Sequence, residues 1–132
     1  MVLLDTHALL WWVGGSRYLS AKARKEISHA DTLLVSPASC WEIAVLVRKQ
    51  RLSLDRDLFD WVRATFLLER VDLAALTPSA AASAGLLGGA FGGDFVDRLL
   101  YATAREMAVP LITRDEAIQA LALATGDVRT IW

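Results

Sequence analysis

Four carboxylates in this chain stand where a solubilising charge does not belong. Asp5 is the only acid among the first 25 residues and follows the apolar run Val2-Leu3-Leu4. Glu42 stands alone between Asp31 and Asp55, inside the apolar stretch PASCWEIAVLV. Asp97 precedes Leu100, Tyr101 and Ala104 at the spacing that shares one helix face, and that face is apolar. Asp115 follows the strand-like Pro110 to Thr113 after a single arginine. Burying unpaired carboxylates is costly, and several gathered together cannot all stay ionised at neutral pH. A divalent cation removes that conflict, and an all-oxygen set with no thiol and little imidazole suits Mg²⁺ or Mn²⁺. Such ions chiefly activate water and neutralise charge in phosphoryl transfer. Three of the four also have an ordinary alternative. Asp5 and Asp115 can cap helices, and Asp97 can be a charge favoured by the helix dipole, whereas Glu42 has no capping role open to it.

The elements that must position these acids are legible from periodicity. Val2 to Leu4, Leu33 to Val35, Val71 to Leu73, Pro110 to Thr113 and Val128 to Trp132 read as short strands. Helices are expected over Thr6 to Val13, Ala21 to His29 after Ser20, and Ser36-Pro37 to about Gln50. Further helices are expected over Asp57 to Leu68, from Thr77-Pro78 to Gly88-Gly89, through Met107 after Asp97, and over Asp115 to Leu123. Short apolar strands alternating with helices mean a parallel sheet covered on both faces. In such a sheet all strand carboxyl ends share one edge, where ligands bind. Asp5 and Asp115 terminate strands there, and Asp97, in the first turn of one helix, and Glu42, in the second turn of another, can reach it. His7 is placed to line the same edge, whereas His29 reads as surface and Cys40 as a small core residue.

Composition bounds the rest. The chain has 132 residues, 55% hydrophobic and 22% charged, with net charge −1 and mean hydropathy +0.37. Disorder is excluded by hydrophobicity. The longest uncharged stretch, Leu73 to Gly93, is broken by Thr77-Pro78 and by glycines, so no membrane span is expected. No secretory signal is read at the start, and a single cysteine excludes a disulfide framework. The compartment expected is the cytoplasm. Near-neutral charge argues against gripping nucleic acid through net positive charge. With five tryptophans in so short a chain, more apolar surface is expected than one core uses.

Four segments, in order, resemble those of PIN domains, and most closely the VapC-type toxins of bacterial toxin–antitoxin pairs. They are Val2-Leu3-Leu4-Asp5-Thr6-His7-Ala8-Leu9-Leu10-Trp11, Ser36 to Ala44 around Glu42, Asp97 to Ala104, and Leu111-Ile112-Thr113-Arg114-Asp115. The ending Val128 to Trp132 is also similar. The resemblance implies a three-layer α/β/α PIN-like domain over residues 1–132, with a central parallel sheet of four to five short strands. It implies an endoribonuclease that hydrolyses RNA with Mg²⁺ or Mn²⁺ held by Asp5, Glu42, Asp97 and Asp115. It also implies a cognate antitoxin and a homodimer.

This chain departs from relatives that carry His-x-Asp-Pro-x-Asp before the third segment. It has Gly92-Gly93-Asp94-Phe95-Val96-Asp97, without the histidine and proline. Asp94 and Thr113 are expected to order the loops around the acids, with pairing to Arg98 as the alternative for Asp94. Arg98 and Arg114 adjoin quartet acids and are candidates for phosphate contact. Arg48-Lys49-Gln50-Arg51 reads first as a helix end stabilised by its dipole, second as an RNA footprint. A receiver or phosphatase domain is disfavoured because no lysine follows Lys49. The remaining alternative is a PIN-fold interaction protein without catalysis.

Overall fold

The computed structural model describes residues 1–132. The elements, in order, are β1 (Val2–Leu4), α1 (Thr6–Val13), α2 (Ala21–His29), β2 (Leu33–Val35), α3 (Pro37–Arg48), α4 (Leu58–Phe66), β3 (Val71–Leu73), α5 (Pro78–Gly85), α6 (Phe95–Met107), β4 (Leu111–Ile112), α7 (Glu116–Thr125) and β5 (Thr130–Ile131). The five strands form one parallel sheet in the order β3-β2-β1-β4-β5.

Strand alternation divides the interior in two. Leu3, Leu34 and Leu111 point to one face, where they meet Val96, Leu100 and Tyr101 of α6 and Ile118 of α7. Val2, Leu4, Leu33, Val35 and Ile112 point to the other, against Leu9 of α1, Ile27 of α2, Ile43 of α3 and Trp61 of α4. The three inner strands β1, β2 and β4 therefore need apolar side chains at every position, whereas the edge strands β3 and β5 carry Asp72 and Thr130. This is why the inner strands read as continuous runs rather than alternating patterns. The result is the α/β/α sandwich expected.

The helix starts follow the capping residues. Ser20, Ser36, Asp57 and Thr77 accept hydrogen bonds from the first-turn amides of α2, α3, α4 and α5, with Pro37 and Pro78 in the first turns of α3 and α5. Two ends differ from expectation. Helix α5 stops at Gly85 rather than at the glycine pair: the Leu86 and Leu87 amides bond back three residues, to Ser83 and Ala84 at 3.2 and 3.3 Å, and this tightened turn ends the helix. Helix α3 stops at Arg48 because Gln50 adopts the left-handed conformation (φ 57°). The Gln50 and Arg51 amides then bond back to Val47 and Leu46 at 3.0 and 2.9 Å, a Schellman turn that folds Arg51 over the helix end.

The topology has one reversal. From β1 the chain steps outward to β2 and β3, then returns to β4 and β5 on the other side. Connections leave β1 and β4 in opposite directions, and the crevice between such strands is where ligands bind in open α/β sheets.

Candidate active site

A cleft of about 370 Å³ opens at that crevice. It is lined by Asp5, Glu42, Asp94, Asp97 and Asp115 together with Thr6, His7, Trp11, Leu100 and Arg114. Asp5 follows β1, and its amide donates to the Ile112 carbonyl of β4 at 3.0 Å. Asp115 enters across the crevice from the segment after β4. Asp97 comes from the first turn of α6 and Glu42 from α3, whose start is tied to α1 by a buried Thr6–Ser39 hydroxyl bond of 3.0 Å. All four acids singled out by their neighbourhoods thus face one cleft.

The capping alternatives and the convergence both hold. Asp5 Oδ1 accepts from the Ala8 amide at 2.7 Å, and Asp115 Oδ1 from the Ile118 amide at 2.8 Å. Asp97 Oδ2 accepts from the Asp94 amide at 3.1 Å, while Asp94 Oδ1 accepts from the Asp97 amide at 2.9 Å, a reciprocal capping box. In each of these four acids the cap engages one oxygen, so the helix ends orient the carboxylates.

One expectation is corrected. Only Asp5 is buried (7% exposed), whereas Glu42, Asp97 and Asp115 are half-exposed walls of an open cleft. Their helices turn the acids toward the water-filled edge rather than into the core.

The electrostatics are those of a site short of positive charge. Burial raises the pKa of Asp5, and the Glu42 charge adds to the rise. A side-chain hydrogen bond with Thr113, the Ala8 amide and His7 oppose it. Asp97 is pushed up to about 7, first by burial, then by the neighbouring charge of Asp94, with Asp115 adding. The donor set is oxygen throughout, and crowding of this kind is what a divalent cation relieves. No three of these side chains close into a ready-made ligand shell. A divalent cation held here would take one or two of these carboxylates and complete its coordination with water and substrate oxygens.

The supporting residues divide. Thr113 is fully buried; its hydroxyl accepts from the Asp115 amide at 3.0 Å and also serves Asp5, so it joins the two acids across the crevice. Thr113→Val keeps the shape but strands the Asp115 amide. A loss of about 1–3 kcal/mol in denaturant unfolding is expected, together with a further rise of the Asp5 pKa readable by carboxyl NMR titration. Asp94 pairs with Asp97 rather than with Arg98. The expectation that Arg98 reaches phosphate is not met. Its guanidinium holds the loop carbonyls of Leu87 and Phe91 and lies 5.2 Å over the Phe91 ring, away from the cleft. Arg114 does reach the rim, exposed, 5.9 Å above the Trp11 ring. Trp11 also packs on His7 at 5.6 Å and forms an aromatic wall that the acid pattern alone did not disclose. Its helical spacing of four from His7 was the available signal. Cys40 is half-buried rather than core.

Comparison with known proteins fits this architecture. The PIN-domain family model matches residues 2–123. This chain belongs to the PIN-domain family. Among relatives, this PIN domain is 40% identical over 118 residues to Ribonuclease VapC22 of Mycobacterium tuberculosis, covering 89% of each chain. Two solved structures share its fold at low identity. One is VapBC2 from Rickettsia felis bound to a promoter DNA fragment (TM-score 0.66, 12% identity, 98% of this chain and 97% of that one). The other is Mycobacterium tuberculosis VapC20, described as a sarcin–ricin loop cleaving toxin (TM-score 0.65, 16% identity, 92% and 95%). No helix of this PIN domain is long and apolar enough to cross a membrane.

Proposed function

We propose that this PIN domain, spanning residues 1–132, is a Mg²⁺-dependent endoribonuclease, with Mn²⁺ as a substitute, and the toxin of a type II toxin–antitoxin pair in the cytoplasm. The observation that carries the reading is the convergence of the carboxylates on the crevice between β1 and β4. A relative at 40% identity named as a ribonuclease supports it. Asp5, Asp97 and Asp115, each oriented by its capping bond, would hold the cation together with the uncapped Glu42. When bound, the ion supplies charge neutralisation for phosphate oxygens and an activated water. Asp5 and Asp115 fix the two sides of the crevice, Thr113 keeps them in register, and Asp94 holds Asp97 at the start of α6. Arg114 at the rim offers its guanidinium to a substrate phosphate.

An apolar groove of about 470 Å³ beside the acid cleft, lined in part by Leu10, Val13, Leu46, Leu52 and Trp61, suits an apolar segment of an antitoxin. A basic side chain from that segment would reach the acids. Phe59 and Leu67, 69% and 85% exposed, support self-pairing.

The test is mapping of 5′ ends in total RNA incubated with the protein. Discrete new ends are expected with Mg²⁺ and none with chelator. The same pattern in both conditions would reject a metal-dependent nuclease.

A further inference from the structure

A second recess adjoins the acid cleft and shares Glu42 and Asp94 with it. Its walls are Trp41 and Phe95, each one residue away in sequence from those acids, and its far side carries Lys49 and Arg51. The two rings meet edge to face, 5.8 Å between centroids at 77°, yet remain 55% and 63% exposed. Large aromatic rings left in water beside a polar cleft call for a ligand with a flat apolar surface. Neither Lys49 nor Arg51 takes part in an ion pair. The helix dipole accounts for a cation at position 48 or 49. It does not account for Arg51, which lies beyond the helix and is folded back over it by the left-handed turn at Gln50.

Aromatic faces on which bases stack, next to cations that track the backbone, are the working parts of single-stranded nucleic-acid sites. We propose that Trp41 and Phe95 stack a base of single-stranded RNA flanking the bond to be cut, with Lys49 and Arg51 holding the adjoining phosphate. The inference rests on the nuclease reading and adds the substrate subsite to it. It also accounts for RNA binding by a chain of net charge −1, because the two cations stand beside the acids rather than among them. A second copy of the chain would equally cover two exposed rings, but it leaves Lys49 and Arg51, which form no ion pair within this chain, without a role.

The test uses a short fluorescent single-stranded oligoribonucleotide of unstructured sequence and its abasic counterpart. Both are titrated by anisotropy with Mg²⁺ present, on an Asp5→Asn background that keeps the probe intact. Trp41→Ala with Phe95→Ala is expected to weaken binding of the intact probe about ten-fold or more. Binding of the abasic probe should be unchanged, and Trp41→Phe should restore much of the loss. Lys49→Ala with Arg51→Ala is expected to weaken both probes and to flatten the salt dependence by roughly 0.7 in log–log slope per cation. The subsite is overturned if the aromatic pair variant binds the intact probe as well as its parent. It is equally overturned if that variant loses affinity for both probes alike, or if the parent binds no single-stranded RNA. A variant that passes to a smaller species on size exclusion while keeping its RNA affinity also overturns it, since the rings then serve self-association. The two readings fail separately. Cleavage by the otherwise wild-type protein with the aromatic pair irrelevant removes only the subsite. Base-dependent binding without cleavage under any divalent cation removes only the nuclease.

Discussion

Asp5→Asn is expected to lower Mg²⁺-dependent RNA cleavage by about 10² or more while leaving the protein at least as stable as before. The two effects separate because the side chain has two jobs. Its Oδ1 caps α1 through the Ala8 amide at 2.7 Å, and asparagine caps helices as well as aspartate does. Its charge, by contrast, is a liability to folding. Burial raises the pKa, so the folded state holds a proton that the unfolded chain, at its ordinary value of 3.8, has released. Stability is then fully present below pH 3.8 and lost as pH rises through the folded value. Asparagine escapes that loss. The variant should match the wild type in acid and exceed it at pH 8 in denaturant midpoint, with unchanged m-value. A variant that is inactive because it is less stable at both pH values would show that Asp5 is structural and not part of the metal chemistry.

Mg²⁺ should raise the melting temperature strongly at pH 8 and weakly at pH 5, and chelator should reverse the gain. Asp97 sets the difference. Burial and the charges of Asp94 and Asp115 push it to about 7, so below that pH it carries a proton that a cation must displace. The metal-free protein is correspondingly most stable below pH 3.8 with respect to this group, and loses stability as pH climbs from there through about 7. Because Asp97 lies on an open cleft, solvent screening reduces that loss to about 1–2 kcal/mol. A saturating cation restores more, about 2.7 kcal/mol at a hundred times its Kd. Calorimetry at pH 6 should also register proton release on binding. Equal stabilisation at both pH values would remove Asp97 from the ligand set.

The fold was legible because its local signals agree. Apolar triplets such as Leu33 to Val35, bounded by turn residues, fit strands covered on both faces, and Ser36-Pro37 fits an N-cap followed by the first turn of a helix. The acids were legible because charges isolated in apolar surroundings stand out against the pattern. What was not legible depends on the direction in which a side chain leaves its helix. Arg98 adjoins Asp97 in sequence, yet it points to the loop carbonyls of Leu87 and Phe91 instead of the cleft. That loop lacks regular structure to satisfy its own carbonyls, and nothing in the spacing announces the need. The same applies to Trp41 and Phe95, whose exposure and mutual contact nothing in their spacing discloses. The half-exposure of Glu42, Asp97 and Asp115 is likewise a property of how α3, α6 and the start of α7 are set on the sheet.

The register of the central strands has a consequence for the order of synthesis. Leu3 and Leu4 of β1 pair with Leu111 and Ile112 of β4, from near opposite ends of the chain. A nascent polypeptide therefore carries Asp5 and Glu42 for most of its time on the ribosome with no strand to close the crevice beside them. The β1, β2 and β3 half can gather as it emerges, since those pairings form outward from β1. The acidic edge becomes whole only when β4 docks, after residues 97 and 115 have left the tunnel. A chain broken off before residue 111 can hold three of the four carboxylates but no crevice, so incomplete products of translation lack the assembled site.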